Sequence, residues 1–388
     1  MLPTSLLVPP AFFAVSSFVF SIAFQLPHRG RLYLAPLLFG SALLSLHTSS
    51  YLASLTGLNV LWGLLSCIWI LHSAAVLYFD RQGPPPGAPP WASAYKAWND
   101  PQRRINWATA FAPGKEASSS PKTRAGFVIQ RLSKVVICWL LQLFIIGLAV
   151  PLYFNFTAQY FAPSRQVFIR RLLSPRIGPP VTHRELQIRF FMSVYWIWIA
   201  YLILDFFHVL LSIFFVAVLR IDAPEEWPPL FGSPGQAYSI RRFWTRFWHR
   251  LTVPSCASSG QLVTRRLAGM TPGSRPERVF ITFWTFCLSG VCHAAADWQA
   301  GELSRPMDDI VFFLANFAAG VVESLIVTRV DRTWKRHGRG RVHQLLWSDA
   351  VRKTIGFAWV LGFFFWIAPK WQYPKLYDTL LHFGIQSR

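Results

Sequence analysis

Acidic residues are scarce in this sequence: 17 Asp and Glu stand against 38 Lys and Arg in 388 residues, a formal charge of +21. Charged residues of either sign make up only 14% of the chain while 53% is hydrophobic, which excludes an ordinary soluble protein of this length. The five cysteines are an odd number, and Cys67, Cys138, Cys287 and Cys292 lie inside apolar runs, with Cys256 alone in a loop. That excludes a disulfide framework and offers no metal-ligand spacing. Zinc-finger spacing and recognised RNA-binding motifs are missing, so the basic excess points to cytosolic loops against anionic lipid rather than to nucleic acid. No internal repeat of the kind transporters show is visible.

What the sequence has is long apolar runs, a mean hydropathy of +0.34 and 18 tryptophans suited to interfacial belts. The runs are Leu6–Leu26, Leu32–Leu55, Leu58–Tyr78, Lys134–Phe154, Phe190–Leu219, Val279–Trp298, Asp308–Thr328 and Thr354–Trp371. They predict an all-α, polytopic integral membrane protein of about eight spans with a lumenal N-terminus. No lysine or arginine precedes the first run, which argues against a cleaved signal, and His28, Arg29 and Arg31 close it as a basic cytosolic turn. Residues 80–133, with the GPPPGAPP run and a serine cluster, read as an irregular cytosolic loop. The whole of 1–388 reads as one membrane-embedded domain with 226–298 as its motif core.

Between the fourth and fifth runs two signals conflict. The one N-glycosylation sequon, Asn155-Phe-Thr157, suits the lumen, as does counting alternate crossings, whereas Arg165, Arg170, Arg171, Arg176, Arg184 and Arg189 would prefer the cytosol. A re-entrant or surface helix near Phe168 to Leu173 would weaken the count.

The chain is organised around 226–298. In SIRRFWTRFWHR, the residues Ile240, Phe243, Trp244, Phe247, Trp248 and Leu251 recur at the steps of one helix face, with Arg242, Arg246, His249 and Arg250 opposite. Such a helix lies flat in the headgroup layer, its apolar face in the acyl boundary; Ser239 is its expected N-cap, with Ser233-Pro234 an earlier start signal. In VFITFWTFCLSGVCHAAADW, the residues Thr282, Thr285, Ser289, His293 and Asp297 form a polar stripe along an otherwise apolar span. Gly290, Ala294, Ala295 and Ala296 surround the histidine, so neighbouring helices can approach closely or leave a cavity. An ionisable group at that depth makes His293 a functional candidate, the plainer alternative being a histidine that hydrogen-bonds a neighbouring helix. Cys292 points about 100° away from it and reads as packing. Asp205 and His208, one turn apart in the fifth run, are a rival site or a mutually satisfied polar contact.

The runs WPPLFGSP, SIRRFWTRFWHR and SGVCHAAADW resemble the wax synthase-like branch of the membrane-bound O-acyltransferases, particularly fungal members of secondary-metabolite pathways. The resemblance is clear from Trp227 to Trp298 and diffuse elsewhere. It implies that His293 is the catalytic histidine, that His249 matches a position held by histidine or asparagine, and that Glu323 matches a glutamate of some relatives. One departure lies at Arg103, Arg104, Ile105, Asn106 and Trp107, where relatives often read Arg-Gly-Ile-Gly-Trp.

The resemblance implies an acyl-CoA-dependent O-acyltransferase of the endoplasmic reticulum membrane, with acetyl-CoA as co-substrate, no bound cofactor, and a hydrophobic terpenoid or polyketide-terpenoid alcohol as acceptor. A neutral imidazole suits the base that such chemistry needs, and Asp297 could orient it. His249 would position the donor or stabilise an oxyanion. Arg242, Arg246 and Arg250 would hold CoA phosphates or, alternatively, anionic headgroups. A long-chain wax or sterol ester synthase shares the mechanism. A membrane terpene cyclase using Asp205 and Glu323 as acids, or a transporter, remains as a different class.

Overall fold

The computed structural model describes residues 4–54, 57–102, 123–154, 157–174, 176, 178–299, 301, 305–337 and 348–382. The sequon asparagine Asn155 and the Arg103–Trp107 segment lie outside them. The described residues form helices and no strand: α1 Val8–Gln25, α2 His28–His47, α3 Leu58–Ala74, α4 Pro90–Trp98, α5 Arg124–Phe144, α6 Phe168–Leu173, α7 His183–Ile213, α8 Val253–Leu262, α9 Arg275–Trp298, α10 Pro306–His337 and α11 Asp349–His382. Eight helices among these residues are long and apolar enough to cross a membrane, in agreement with the eight hydrophobic runs. The boundaries follow local chemistry: Thr182 accepts from the Glu185 N–H at the start of α7, and Ser274 from the Glu277 N–H at the start of α9. Wide final turns continue α3 through Ala75–Phe79 and α7 through Phe214–Val218.

The chain divides into two compact units, Met1–Gly114 with Arg250–Ala318, and Lys115–His249 with Ala319–Arg388. In the first, Phe20, Phe24, Leu38, Trp69 and Leu77 form a core between α1, α2 and α3, to which α4 adds Ala94 and Ala97. The expected irregular loop over 80–133 is thus partly helical: α4 packs on α1, and α5 begins ten residues before the expected span. The basic turn also differs from expectation. Arg31 is buried and donates to the carbonyls of Leu26, Leu77 and Gln82 at 2.9, 3.1 and 2.5 Å, so it is consumed inside the fold rather than displayed as a surface cation. Two close approaches place α9: a Cβ at Gly63 of α3 would lie 3.0 Å from the Ala296 Cβ, and one at Gly260 of α8 would lie 3.2 Å from the Trp284 ring.

In the second unit α7 packs on α11 through Ile188, Met192 and Tyr373, joined by Phe161. Trp196 of α7 sits among Phe243, Trp248, Phe364 and Trp371 at ring separations of 5.3 to 6.2 Å. The segment Phe168 to Leu173, considered as a re-entrant or surface helix, forms the six-residue helix α6 with Phe168 and Arg171 buried. The arginines of this region are largely engaged within the protein: Arg171 and Arg165 bind Glu185 at 2.7 and 3.0 Å, and fully buried Arg189 lies over the Phe168 and Tyr373 rings at 4.6 and 5.3 Å.

Candidate active site

His293 belongs to the first unit. It is half-buried on α9, its ring 4.8 Å from that of Phe313 on α10. Gly290, one turn earlier, makes that contact possible: a Cβ there would stand 3.2 Å from the Ile310 Cα and 3.3 Å from the Phe313 Cβ, so only glycine lets α10 come this close without displacement. The small residues around the histidine therefore serve close helix approach, and the aromatic face of Phe313 covers one side of the imidazole. Cys292 is buried on another side, where its carbonyl accepts from the Cys67 thiol at 3.7 Å. This agrees with packing rather than a nucleophile pair.

The polar stripe divides into three behaviours. Thr282 and Thr285 return their hydroxyls to the Arg278 and Ile281 carbonyls of their own helix, both at 2.8 Å. Ser289 is half-buried one turn before His293. Asp297 accepts the Arg305 backbone N–H, which ties the end of α9 to the residue before α10. Its carboxylate is thus committed at least in part to the backbone.

His249 belongs to the second unit, and there WPPLFGSP folds onto SIRRFWTRFWHR. Ser239 caps the first turn by accepting from the Arg242 N–H at 3.1 Å, as expected. The helix is much shorter than its periodicity suggests: Ile240–Arg242 passes into one wide turn, Phe243–Phe247, and Trp248 is already extended. The reason is tertiary. Gly232 of WPPLFGSP donates to the Phe247 carbonyl at 2.8 Å, and a Cβ on Gly232 would sit 1.9 Å from the Arg246 carbonyl oxygen. Phe231 then meets Trp248 at 5.3 Å and stands edge-on to His249 at 5.7 Å. Ile240, Phe243, Phe247 and Trp248 are buried, with Phe243 and Trp248 against Trp196. The aromatic face expected in the acyl boundary is therefore in the protein's own core. His249 Nδ1 is buried without a hydrogen-bond partner among the described residues, and burial pushes the imidazole down to about 4. It is neutral at physiological pH.

The row of three arginines is not continuous. Arg242 donates to the Gln236 carbonyl and side-chain oxygen and lies 4.4 Å over the Tyr238 ring. Arg246 is exposed, and Arg250, also exposed, falls beyond the helical turn and in the first unit. Glu323 of α10 accepts from the Ile240 N–H at 2.7 Å, the Arg241 N–H at 3.4 Å and the Trp359 indole at 2.9 Å. It holds the start of the motif helix against α10 and α11. Asp205 pairs with Lys134 of α5 at 2.7 Å, while the His208 ring lies 5.3 Å from that of Trp227. Lys134 escapes a reading by hydropathy because it stands at the edge of an apolar run; the available signal is a lone cation facing a lone acid in neighbouring spans. Cys256, expected in a loop, is instead fully buried on α8 because Pro254 starts a helix there, and burial raises its thiol to about 12, which leaves it protonated and unreactive.

The sequence model of the Membrane bound O-acyl transferase family matches residues 227–315, the stretch holding His249 and His293. Acetyltransferase spyB of Aspergillus fumigatus is 31% identical over 204 residues, 50% of this chain and 34% of that protein. Acetyltransferase atnC of Arthrinium sp is 32% identical over 197 residues, 50% of this chain and 43% of that protein. Acetyltransferase fsoF of Humicola fuscoatra is 27% identical over 259 residues, 66% of this chain and 59% of that protein. The chain thus spans between a third and three-fifths of the length of these relatives. No solved structure matches. The resemblance carried by WPPLFGSP, SIRRFWTRFWHR and SGVCHAAADW is borne out over the same stretch, where this multi-helix chain is similar to the membrane-bound O-acyltransferases.

Proposed function

We propose that the protein is an acyl-CoA-dependent O-acyltransferase of the endoplasmic reticulum membrane, acetylating a hydroxyl of a terpenoid or polyketide-terpenoid alcohol with acetyl-CoA as donor. The observation that carries the reading is that the family match covers the one stretch holding both candidate histidines, in a chain with eight helices long enough to span a bilayer. In the reaction His293 takes the proton of the acceptor hydroxyl as its oxygen attacks the thioester carbonyl. The tetrahedral intermediate then expels the CoA thiolate, and the proton held on the imidazole passes to that sulfur, leaving ester, free thiol and neutral histidine. Neutral His249 is assigned as a hydrogen-bond donor to the acyl donor, a role asparagine could share. The acyltransferase reading is favoured over the cyclase because Asp205 is ion-paired with Lys134 and Glu323 accepts from two backbone N–H groups and an indole, engagements that suit holding the fold.

The test uses membranes containing the full chain, a terpenoid alcohol and acetyl-CoA, with product mass as readout. Ester formation that requires acetyl-CoA is expected, and His293→Ala should reduce it by roughly 10²- to 10⁴-fold at near-normal abundance. Near-wild-type turnover in well-expressed His293→Ala would overturn the assignment. Conversion without any acyl-CoA would favour the cyclase.

A further inference from the structure

A groove of about 550 Å³ opens on the second unit between the first turns of α5 and the end of the α7 span, lined by Arg124, Ala125, Val128, Ile129, Ala217 and Arg220. Its two ends differ in chemistry. Arg124 and Arg220 stand at the rim, both exposed, and neither guanidinium has a hydrogen-bond or ion-pair partner among the described residues. Arg131, Arg165, Arg171 and Arg242 of the same unit donate to carbonyls or carboxylates, whereas Arg124 and Arg220 share the free state of Arg170, Arg241 and Arg246 but are the two that line a groove together. Arg220 in addition occupies the left-handed region at φ 56°, which a non-glycine residue adopts only at some cost.

The walls are apolar, and they lead away from the rim along α5. Ala125 and Ala217 are small enough to leave the furrow open, and below it Ile129, Leu132 and Val136 are 67%, 48% and 55% exposed on the flank of a candidate span. Because the start of one span and the end of the next line a single groove, both arginines lie at the same membrane face. Two free cations at the headgroup level above an uncovered hydrocarbon flank match a molecule with an anionic head and a long apolar tail. A soluble phosphate would use the rim alone and leave the apolar furrow between Ala125, Val128, Ile129 and Ala217 empty.

We propose that this groove is a binding site for an anionic phospholipid, its phosphate and head-group carboxylate held by Arg124 and Arg220 and one acyl chain running past Val128 and Ile129. The start of α5 adds to the attraction, since the positive end of the helix dipole favours a phosphate there. Each arginine near a membrane surface contributes on the order of a fivefold preference for an anionic head, so the pair should give about 30-fold.

The experiment uses the full chain purified in detergent, with dansyl-phosphatidylserine as probe and unlabelled lipids as competitors. Phosphatidylserine is expected to displace the probe at about 30-fold lower concentration than phosphatidylcholine. The Arg124→Gln/Arg220→Gln pair should erase that preference, Arg124→Lys/Arg220→Lys should keep most of it, and Ile129→Trp should weaken probe binding without changing the ratio. Equal competition by the two lipids with the wild type, or an unchanged ratio in the double glutamine variant, would overturn the proposal. So would displacement of the probe by CoA or inorganic phosphate as readily as by phosphatidylserine, which would make the rim a site for a soluble phosphate. Both arginines are exposed, so folding is checked by an unchanged gel-filtration profile.

Discussion

A histidine can do acid-base work only where a substrate can reach it, and the two histidines of the motif differ in how much of the ring is left open. His293 keeps part of its surface and rests on the Phe313 ring, held there by the absence of a side chain at Gly290. His249 is wedged against Phe231, its Nδ1 orphaned and its pKa near 4. Since that value lies below the usual 6.5, the folded state binds the proton more weakly than the unfolded chain does. The histidine's contribution is therefore undiminished above about pH 6.5 and is lost as the pH falls from there toward 4. The shift amounts to about 3 kcal/mol when complete. Thermal unfolding of the detergent-solubilised protein at about pH 7.5 and 4.5 should show a drop that is markedly smaller in His249→Asn. An equal drop in both would mean that His249 is solvated. At this scale the sequence is legible for residue type and depth but not for partners. The pairing of Asp205 with Lys134 rather than with His208 depends on which face of α5 meets α7.

At the scale of elements, the periodicity of SIRRFWTRFWHR correctly marks its cap and its buried face but not its length or its surroundings. Ser239 caps because its hydroxyl is within reach of the Arg242 N–H, a local matter that sequence expresses directly. The helix ends at Phe247 because Gly232 takes that residue's carbonyl, a contact with a segment well upstream that no periodicity contains. The start is held in turn by Glu323, whose three accepted hydrogen bonds fit a positioning role better than proton transfer. Glu323→Ala should lower stability by about 2 kcal/mol, as expected for hydrogen bonds to a charged group. Glu323→Gln should recover much of this, because the amide oxygen can still accept from the Ile240 N–H. Measured in membranes, the loss of acyl transfer should follow the loss of folded protein in both variants. A fully abundant Glu323→Gln without activity would instead make the carboxylate a participant in the chemistry.

For the molecule as a whole, the eight apolar runs correspond to the eight long helices because span length is fixed by bilayer thickness and needs no knowledge of partners. The arginine excess is harder to read. Counted as free charges, the arginines between the fourth and fifth spans oppose a lumenal placement, but Arg165 and Arg171 share the Glu185 carboxylate, which cancels one of their two charges, and Arg189 is buried among aromatic rings. Engaged in this way they weigh less as an orienting signal, and alternation of crossings then points to a cytosolic segment between α10 and α11. An epitope inserted after Gly338, outside the described residues, should be digested by protease in sealed microsomes. A protected epitope would reverse the orientation.

Arg31 also bears on the order in which the chain can be assembled. Its guanidinium is satisfied by carbonyls at the end of α1 and beyond the end of α3, at Leu26, Leu77 and Gln82. While the ribosome has released only the first two helices, two of those three acceptors do not yet exist in place, and the charge must remain among headgroups and water. Insertion of the third helix is then expected to take it out of solvent, since Leu77 and Gln82 arrive with that helix. The opening hairpin is therefore a provisional arrangement that becomes permanent only when α3 arrives. Nascent chains stalled before Leu77 should leave position 31, as Arg31→Cys, open to a water-soluble thiol reagent, and chains stalled well past Gln82 should not.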